Sequence, residues 1–241
     1  MYEELKKMIE ESSNIVFFGG AGVSTESNIP DFRSENGLYH AKQKYKHTPE
    51  EMLSGPFLKR YPEIFFEYYR NNLLYPEALP NPAHYALARL EKQGKLKAII
   101  TQNVDGLHQR AGSINVIELH GTGMKNTCLN CGAEYDFDFV AQSEGVPKCT
   151  RCGGMVRPDI VLYSENLNYG TIMEAVEALQ KADLCIVGGT SLVVQPAAGL
   201  LSSFKGDNLV LINRDATPYD SRARLIIRDS IGKVLSAVVP E

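Results

Sequence analysis

The sequence predicts an α/β fold in which a mostly parallel sheet carries a smaller inserted domain, and three observations lead there. Short, wholly apolar runs alternate with helical patterns at both ends of the chain, as strands buried on both faces do. A glycine-rich turn, Gly19-Gly20-Ala21-Gly22, follows the first of these runs at once. Two Cys-x-x-Cys pairs then interrupt the alternation in a stretch with little apolar content.

Tyr2, Leu5, Met8 and Ile9 share one face of an opening helix, and residues 14–18 follow as a buried strand. Asn81 caps a second helix, with Pro82 at its first position, an apolar stripe of Ala83, Ala86, Leu87 and Leu90, and Gly94 placed to end it. Further strands read at residues 97–101, 116–119, Leu184–Gly188, 208–213 and Leu225–Ile227, with helical stretches at 195–203 and from Ile231 onward. The pattern implies a Rossmann-like parallel sheet domain made of residues 1–33, 81–120 and 158–241. A helical module at 34–80 and a zinc-ribbon module at 121–157 then form the smaller inserted domain. Tyr61, Phe65, Phe66, Tyr68 and Tyr69 read as the core stripe of a helix in that module.

Composition excludes several classes. The 241 residues are 44% hydrophobic and 22% charged, ordinary values for a globular protein. A net charge of −4 offers no basic surface for nucleic acid or an anionic membrane. The N-terminus lacks the apolar core of a signal peptide, and no apolar run is long enough to span a bilayer, so a cytoplasmic location is expected.

Cys128-x-x-Cys131 and Cys149-x-x-Cys152 stand 17 residues apart, the spacing of a zinc ribbon. Gly132 and Gly153 follow the pairs and let backbone amides turn toward the thiolates. Four sulfurs complete a tetrahedral zinc and leave no position for water, so the metal is expected to be structural. The competing reading, disulfides or idle thiols, suits an oxidising compartment better than a reducing one. Cys185, inside an apolar strand, reads as a small buried hydrophobe.

The glycine turn fits a phosphate-binding loop, in which backbone amides approach a pyrophosphate at a helix start. It equally fits a tight structural turn, because Thr25 stands where a dinucleotide fingerprint needs its third glycine, and no acidic residue closes a second strand about 20 residues on. His120, in Leu119-His120-Gly121, reads by itself as a capped or core histidine, and His40, His47, His84 and His108 as surface or structural ones. Asp31-Phe32-Arg33 reads as a turn held by an ion pair.

From Gly20 the chain runs Gly-Ala-Gly-Val-Ser-Thr-Glu-Ser-Asn-Ile-Pro-Asp-Phe-Arg to Arg33, which resembles the signature of the sirtuins, NAD-dependent protein deacylases. Further sirtuin-like motifs follow in family order: Thr101-Gln-Asn-Val-Asp-Gly-Leu-His108, Glu118-Leu-His-Gly121, the cysteine quartet, Arg157-Pro-Asp-Ile-Val161, Gly189-Thr-Ser-Leu192 and Asn213. The resemblance covers essentially the whole chain and points to a member of bacterial or archaeal type. It implies an NAD-dependent protein-lysine deacetylase acting on acetylated-lysine proteins, with free lysine, nicotinamide and O-acetyl-ADP-ribose as products. The large domain would then bind NAD.

By the same resemblance, Gly20, Ala21 and Gly22 cradle the pyrophosphate, and Thr25, Phe32 and Arg33 lie by the ribose and nicotinamide. Gln102 and Asn103 contact the nicotinamide ribose or its water, and Val104 and Asp105 hold the carboxamide. Thr190 and Ser191 bind phosphate or ribose, Asn213 the adenosine ribose, and Ile231 lies near adenine. His120 is the implied general base, and residues 160–163, with Val161, Leu162 and Tyr163 at the substrate, pair with the peptide as a strand.

Two positions depart from the family pattern. Asn28 replaces a glycine and is expected at positive φ, where asparagine is the next-best residue. Ser164 also replaces a glycine and is expected to adopt an extended conformation. Sirtuins that remove acidic acyl groups carry a Tyr-x-x-Arg pair, whereas the local match here, Tyr69-Arg70-Asn71-Asn72, lacks the arginine at that spacing. Three other functions use similar parts: an NAD-dependent zinc-containing oxidoreductase, a non-enzymatic zinc-ribbon module, and a mono-ADP-ribosyltransferase on the same scaffold.

Overall fold

A computed structural model describes residues 1–31 and 46–240. Six strands form one parallel sheet: β1 (Ile15–Gly19), β2 (Leu96–Thr101), β3 (Val116–Glu118), β7 (Leu184–Gly188), β8 (Leu209–Ile212) and β9 (Leu225–Ile227). Their order is β3-β2-β1-β7-β8-β9. The chain therefore winds outward from β1 in one direction, then returns to β7 at β1's other edge and winds outward again. The crevice between the C-terminal ends of β1 and β7 is the topological switch point, where open α/β sheets bind ligands.

Alternation along each strand sorts the side chains onto two faces. Ile15, Phe17, Ile99, Leu184, Ile186, Val210 and Ile212 face α1 (Tyr2–Glu11), the helix Pro82–Lys92 and the helix Ile231–Val238. Val16, Phe18, Ile100, Cys185, Val187, Leu209 and Leu211 face the helix Tyr169–Lys181 and the turns around Ala197–Phe204. Cys185 is fully buried there, and burial pushes its thiol up to about 12.

The helix ends follow their local chemistry. Asn81 Oδ1 accepts from Ala83 N, and His84 Nδ1 accepts from Asn81 N, so the cap is reciprocal. Gly94, just past the helix, adopts φ +74°. No helix among the described residues is long and apolar enough to cross a membrane.

A second, antiparallel sheet of order β5-β4-β6 comprises β4 (Gly121–Cys128), β5 (Glu134–Asp136) and β6 (Val156–Ile160). It shares a third core with the short helices between Pro49 and Asn72, where Phe65, Phe66, Tyr68 and Tyr69 meet Cys128, Cys149 and Val156. Tyr61 is excluded from that core: it stands at the helix start, 38% exposed. The architecture is thus a Rossmann-like sheet domain with a smaller inserted domain of zinc-ribbon and helical parts.

Candidate active site and metal centre

A cavity of about 490 Å³ opens at the switch point and runs toward the small domain. Its wall brings together Gly20, Ala21, Gly22, Gln102, Asn103, Val104, Asp105, His120, Val161, Leu162 and Tyr163, together with Thr190, Ser191, Asn213 and Ile231. These residues come from the ends of separate strands, so only the fold makes them neighbours. Thr25 does not line the cavity. Its hydroxyl donates to Gly22 O at 3.0 Å and so supports the turn from behind. Phe32 and Arg33 lie outside the described residues.

The glycine turn needs its glycines for chain packing. A Cβ at Gly22 would stand 2.7 Å from Gly189 Cα, and one at Gly20 would stand 2.9 Å from Thr190 Cβ. The turn is stitched to the end of β7 by Gly20 N to Gly188 O at 3.3 Å and Gly22 N to Gly189 O at 2.8 Å. Ala21 and its neighbours are thereby held at the cavity wall. The tight structural turn is thus itself part of the cavity wall.

A hydrogen-bonded network links residues of the cavity wall. Ser24, 1% exposed, donates to Asp105 Oδ2 at 2.7 Å, and Asn103 Nδ2 donates to Ser24 Oγ at 3.1 Å. Leu107 N donates to Asp105 Oδ1 at 2.9 Å. Gln102 Nε2 donates to Thr190 Oγ1 at 3.0 Å. Asn213 accepts from Thr190 N at 3.1 Å and donates to Thr190 O at 2.7 Å. Ser24 and Gly189 escaped the sequence reading. Ser24 sits inside the quoted motif, but nothing local shows that it reaches a carboxylate 81 positions away.

His120 follows β3 and precedes β4, at the seam between the two domains. Its Nδ1 lies 2.9 Å from the carbonyl oxygen of Gln102. A carbonyl only accepts, so Nδ1 carries the proton and Nε2 is the basic nitrogen. Burial lowers the pKa of His120, and the Gln102 hydrogen bond partly offsets the effect. The ring is therefore neutral near neutral pH and able to take a proton.

The segment that follows β6 differs from expectation at one residue. Ser164 adopts φ +71°, not an extended conformation. Glu165 N donates to Leu162 O at 3.0 Å, closing a turn whose third residue needs positive φ. Asn28 does adopt the left-handed conformation, at φ 62°. Arg70 does not reach the cavity wall. Its guanidinium donates to Ser143 Oγ at 3.2 Å and lies over the Phe66 ring. Among the described residues of the wall, Arg214, beside Asn213, is the one lysine or arginine.

The four cysteines converge, with all ligand atoms within 4.8 Å of one another. Cys128 and Cys152 sulfurs are 3.5 Å apart, and those of Cys131 and Cys149 are 3.6 Å apart. Disulfide sulfurs stand about 2.05 Å apart. A tetrahedron of sulfurs at about 2.3 Å from zinc has edges of roughly 3.8 Å, so the set fits zinc. Gly132 and Gly153 adopt φ +68° and +72°, and their amides donate to Cys128 O and Cys149 O, closing the two turns.

Fold and site together define a class: dinucleotide-binding α/β proteins, here with a four-cysteine module beside the ligand crevice. Comparison supplies the family. The Sir2 family model matches residues 20–196. A protein of Clostridium acetobutylicum named NAD-dependent protein deacetylase is 60% identical over 237 residues, spanning 98% of this chain and 97% of its own. One of Clostridium perfringens with the same name is 59% identical, with the same coverage. A solved Sir2 homologue–NAD complex superposes with a TM-score of 0.88 at 39% identity, covering 98% of this chain and 92% of that one. A Sir2 structure with a deacetylated p53 peptide and 3′-O-acetyl ADP-ribose gives 0.89 at 38% identity, covering 98% and 96%. The chain belongs to the Sir2 family.

Proposed function

We propose that this protein is an NAD-dependent protein-lysine deacetylase that transfers the acetyl group of acetyl-lysine to ADP-ribose and releases nicotinamide. The observation that carries the reading is His120: a neutral imidazole of fixed tautomer, in the wall of the cavity that the glycine turn also lines. When bound, NAD supplies the C–N bond whose breaking leaves positive charge at the ribose anomeric carbon. His120 Nε2 then takes a proton from a ribose hydroxyl as general base. Gln102 acts on it through its carbonyl by holding the ring's orientation.

The backbone of Gly20, Ala21 and Gly22 faces the pyrophosphate, and Thr190, Ser191 and Asn213 take phosphate and the adenosine ribose. Ile231 lies at adenine. Gln102 and Asn103 serve the nicotinamide ribose, while Val104 and Asp105 hold the carboxamide. Asp105 already accepts two hydrogen bonds, and a carboxylate has capacity for about four. Thr25 supports the turn, and Phe32 and Arg33 keep the roles implied by the motif. Val161, Leu162 and Tyr163 line the way to the peptide. Zinc held by Cys128, Cys131, Cys149 and Cys152 ties the small domain together and takes no part in the chemistry.

We propose residues 1–33, 81–120 and 158–241 for the large unit and the rest for the small one, with β6 crossing the boundary, since residues 158–160 pair with β4 of the small sheet. The cytoplasm is the proposed location, since the unpaired thiolate cluster suits a reducing compartment. The deciding experiment is incubation with NAD and an acetyl-lysine peptide, read by mass spectrometry. Loss of acetyl with stoichiometric nicotinamide and O-acetyl-ADP-ribose is expected. Label from NAD left on protein would indicate ADP-ribosyl transfer instead, and a change at 340 nm would indicate an oxidoreductase.

A further inference from the structure

The chain from the end of β6 to Glu165 lines the cavity and turns at Ser164. Its backbone donors are already taken. Val161 N donates to His120 O at 2.8 Å and Tyr163 N to Leu53 O at 2.9 Å. Leu162 N donates to a side chain, Glu165 Oε2, at 2.9 Å. The same carboxylate meets Arg157: Nη1 to Oε1 at 2.7 Å and Nη2 to Oε2 at 3.0 Å, a two-pronged pair. Arg157 also donates to Ile160 O at 2.8 Å and to Pro158 O at 3.3 Å. One guanidinium and one carboxylate thus hold both ends of the cavity-lining segment and three of its backbone groups.

An exposed ion pair contributes little by itself. This one is partly buried, with side chains 19% and 31% exposed, and it closes a ring of backbone contacts. Arg157 holds the Glu165 carboxyl below its usual range, so the clamp stays charged across the neutral region. Ser164, left-handed without being glycine, lies inside the ring and needs something to hold it there.

We propose that the Arg157–Glu165 clamp is a positioning device for substrate, setting the path of Val161–Leu162–Tyr163 and so the affinity for the acylated peptide. The inference rests on the deacetylase reading, and the wild-type protein tests that reading first. If wild-type protein does not deacetylate an acetyl-lysine peptide, the reading fails; the clamp is judged on variants of an active wild type. The variants are Glu165→Gln, Glu165→Ala and Arg157→Lys, measured for KM of an acetyl-lysine peptide, KM of NAD, and kcat. Glu165→Ala is expected to raise peptide KM about tenfold, the loss of a charge-assisted hydrogen bond. Glu165→Gln, which keeps an acceptor for Leu162 N, is expected to lie between it and wild type. NAD KM and kcat should stay within about twofold. Zinc content and melting temperature are measured alongside, and the conservative Glu165→Gln and Arg157→Lys decide the case if Glu165→Ala fails to fold. A peptide KM that is unchanged, or a rise in peptide KM matched by a similar rise in NAD KM and loss of kcat, would overturn the proposal. A lower peptide KM would also overturn it, because it would mean that the carboxylate competes with the peptide for Leu162 N.

Discussion

Around the parallel sheet, aliphatic side chains alternate between two faces, and each face is closed by helices. In the small domain, aromatic rings of one helix meet two cysteine-bearing turns across a three-stranded sheet. The first arrangement stabilises itself through burial of many apolar side chains. The second has fewer apolar groups and brings four thiolates together, an arrangement that repels itself unless a cation sits among them. The cavity lies between a unit built on two large apolar cores and a unit that joins a smaller apolar core to a four-cysteine cluster. Its two ends should therefore answer to different perturbations.

Zinc removal should give the largest effect, since structural zinc contributes about 10–16 kcal/mol in small zinc modules. Chelation of the wild-type protein should abolish deacetylation. Amide exchange should rise throughout β4, β5 and β6 while β1, β7 and β8 stay protected. Uniform loss of protection would break the comparison. Full activity in metal-free protein would remove the structural role.

His120→Ala tests the seam and should leave both domains intact. Deacetylation should fall about 10²–10⁴-fold, with zinc content and melting curve unchanged. Nicotinamide exchange, which precedes the proton transfer, should fall less. A variant with wild-type turnover would remove His120 from the base role.

Acyl choice sharpens the contrast at the substrate end. No described wall residue there offers a cation, and Arg70 is engaged with Ser143. Burying an unpaired carboxylate costs several kcal/mol. Matched peptides should show kcat/KM favouring acetyl-lysine over succinyl-lysine. The reverse order would mean that a cation such as Arg70 or Lys42 reaches the tunnel; Lys42 lies outside the described residues.

The large domain carries its own weak point under acid. His84 and His108 are buried with ring centroids 4.7 Å apart, and burial lowers their pKa values to about 4 and about 3. Both rings stay neutral in the fold, while in the unfolded chain they titrate near pH 6.5. Above that pH they do not affect stability. As pH falls below 6.5 the unfolded state binds protons that the folded state refuses, so stability declines until about pH 4 to 3. Urea midpoints between pH 7 and pH 4.5 should fall less steeply in His108→Leu than in wild type. Parallel slopes would show that the pair is not responsible.

Ser164→Gly should have the smallest effect. Relieving a left-handed serine should stabilise the protein by about 0.5–1 kcal/mol, read as a small rise in melting temperature. A fall would mean that the turn does not strain the serine.

Much of the molecule was legible in the chain. The apolar runs gave strands wherever burial on both faces removed ambiguity, and Asn81-Pro82 marked its helix because capping is local chemistry. The helix Tyr169–Lys181 was not singled out. Its stripe of Ala175 and Leu179 is thin, because much of that helix is exposed, and only Asn168, whose side chain accepts from Thr171 N, marks its start. The conformation of Ser164 is illegible in the sequence for a different reason: its sign of φ is set by a turn that the Leu162 and Glu165 backbones close, and a serine by itself would avoid it.

By itself the sequence determined the alternating elements, the zinc ligand set and the motifs of the site. These depend on neighbours within a few positions, where spacing and residue type suffice. Only the tertiary structure decided that Gly20 and Gly22 are demanded by Gly189 and Thr190, and that Ser24 supports Asp105. It alone showed that Thr25 does not line the cavity, and that His120 holds its proton on the nitrogen facing Gln102. Apart from Thr25, whose bond to Gly22 is local, these are contacts between segments distant in the chain, and they exist only once β1, β2, β3 and β7 lie side by side.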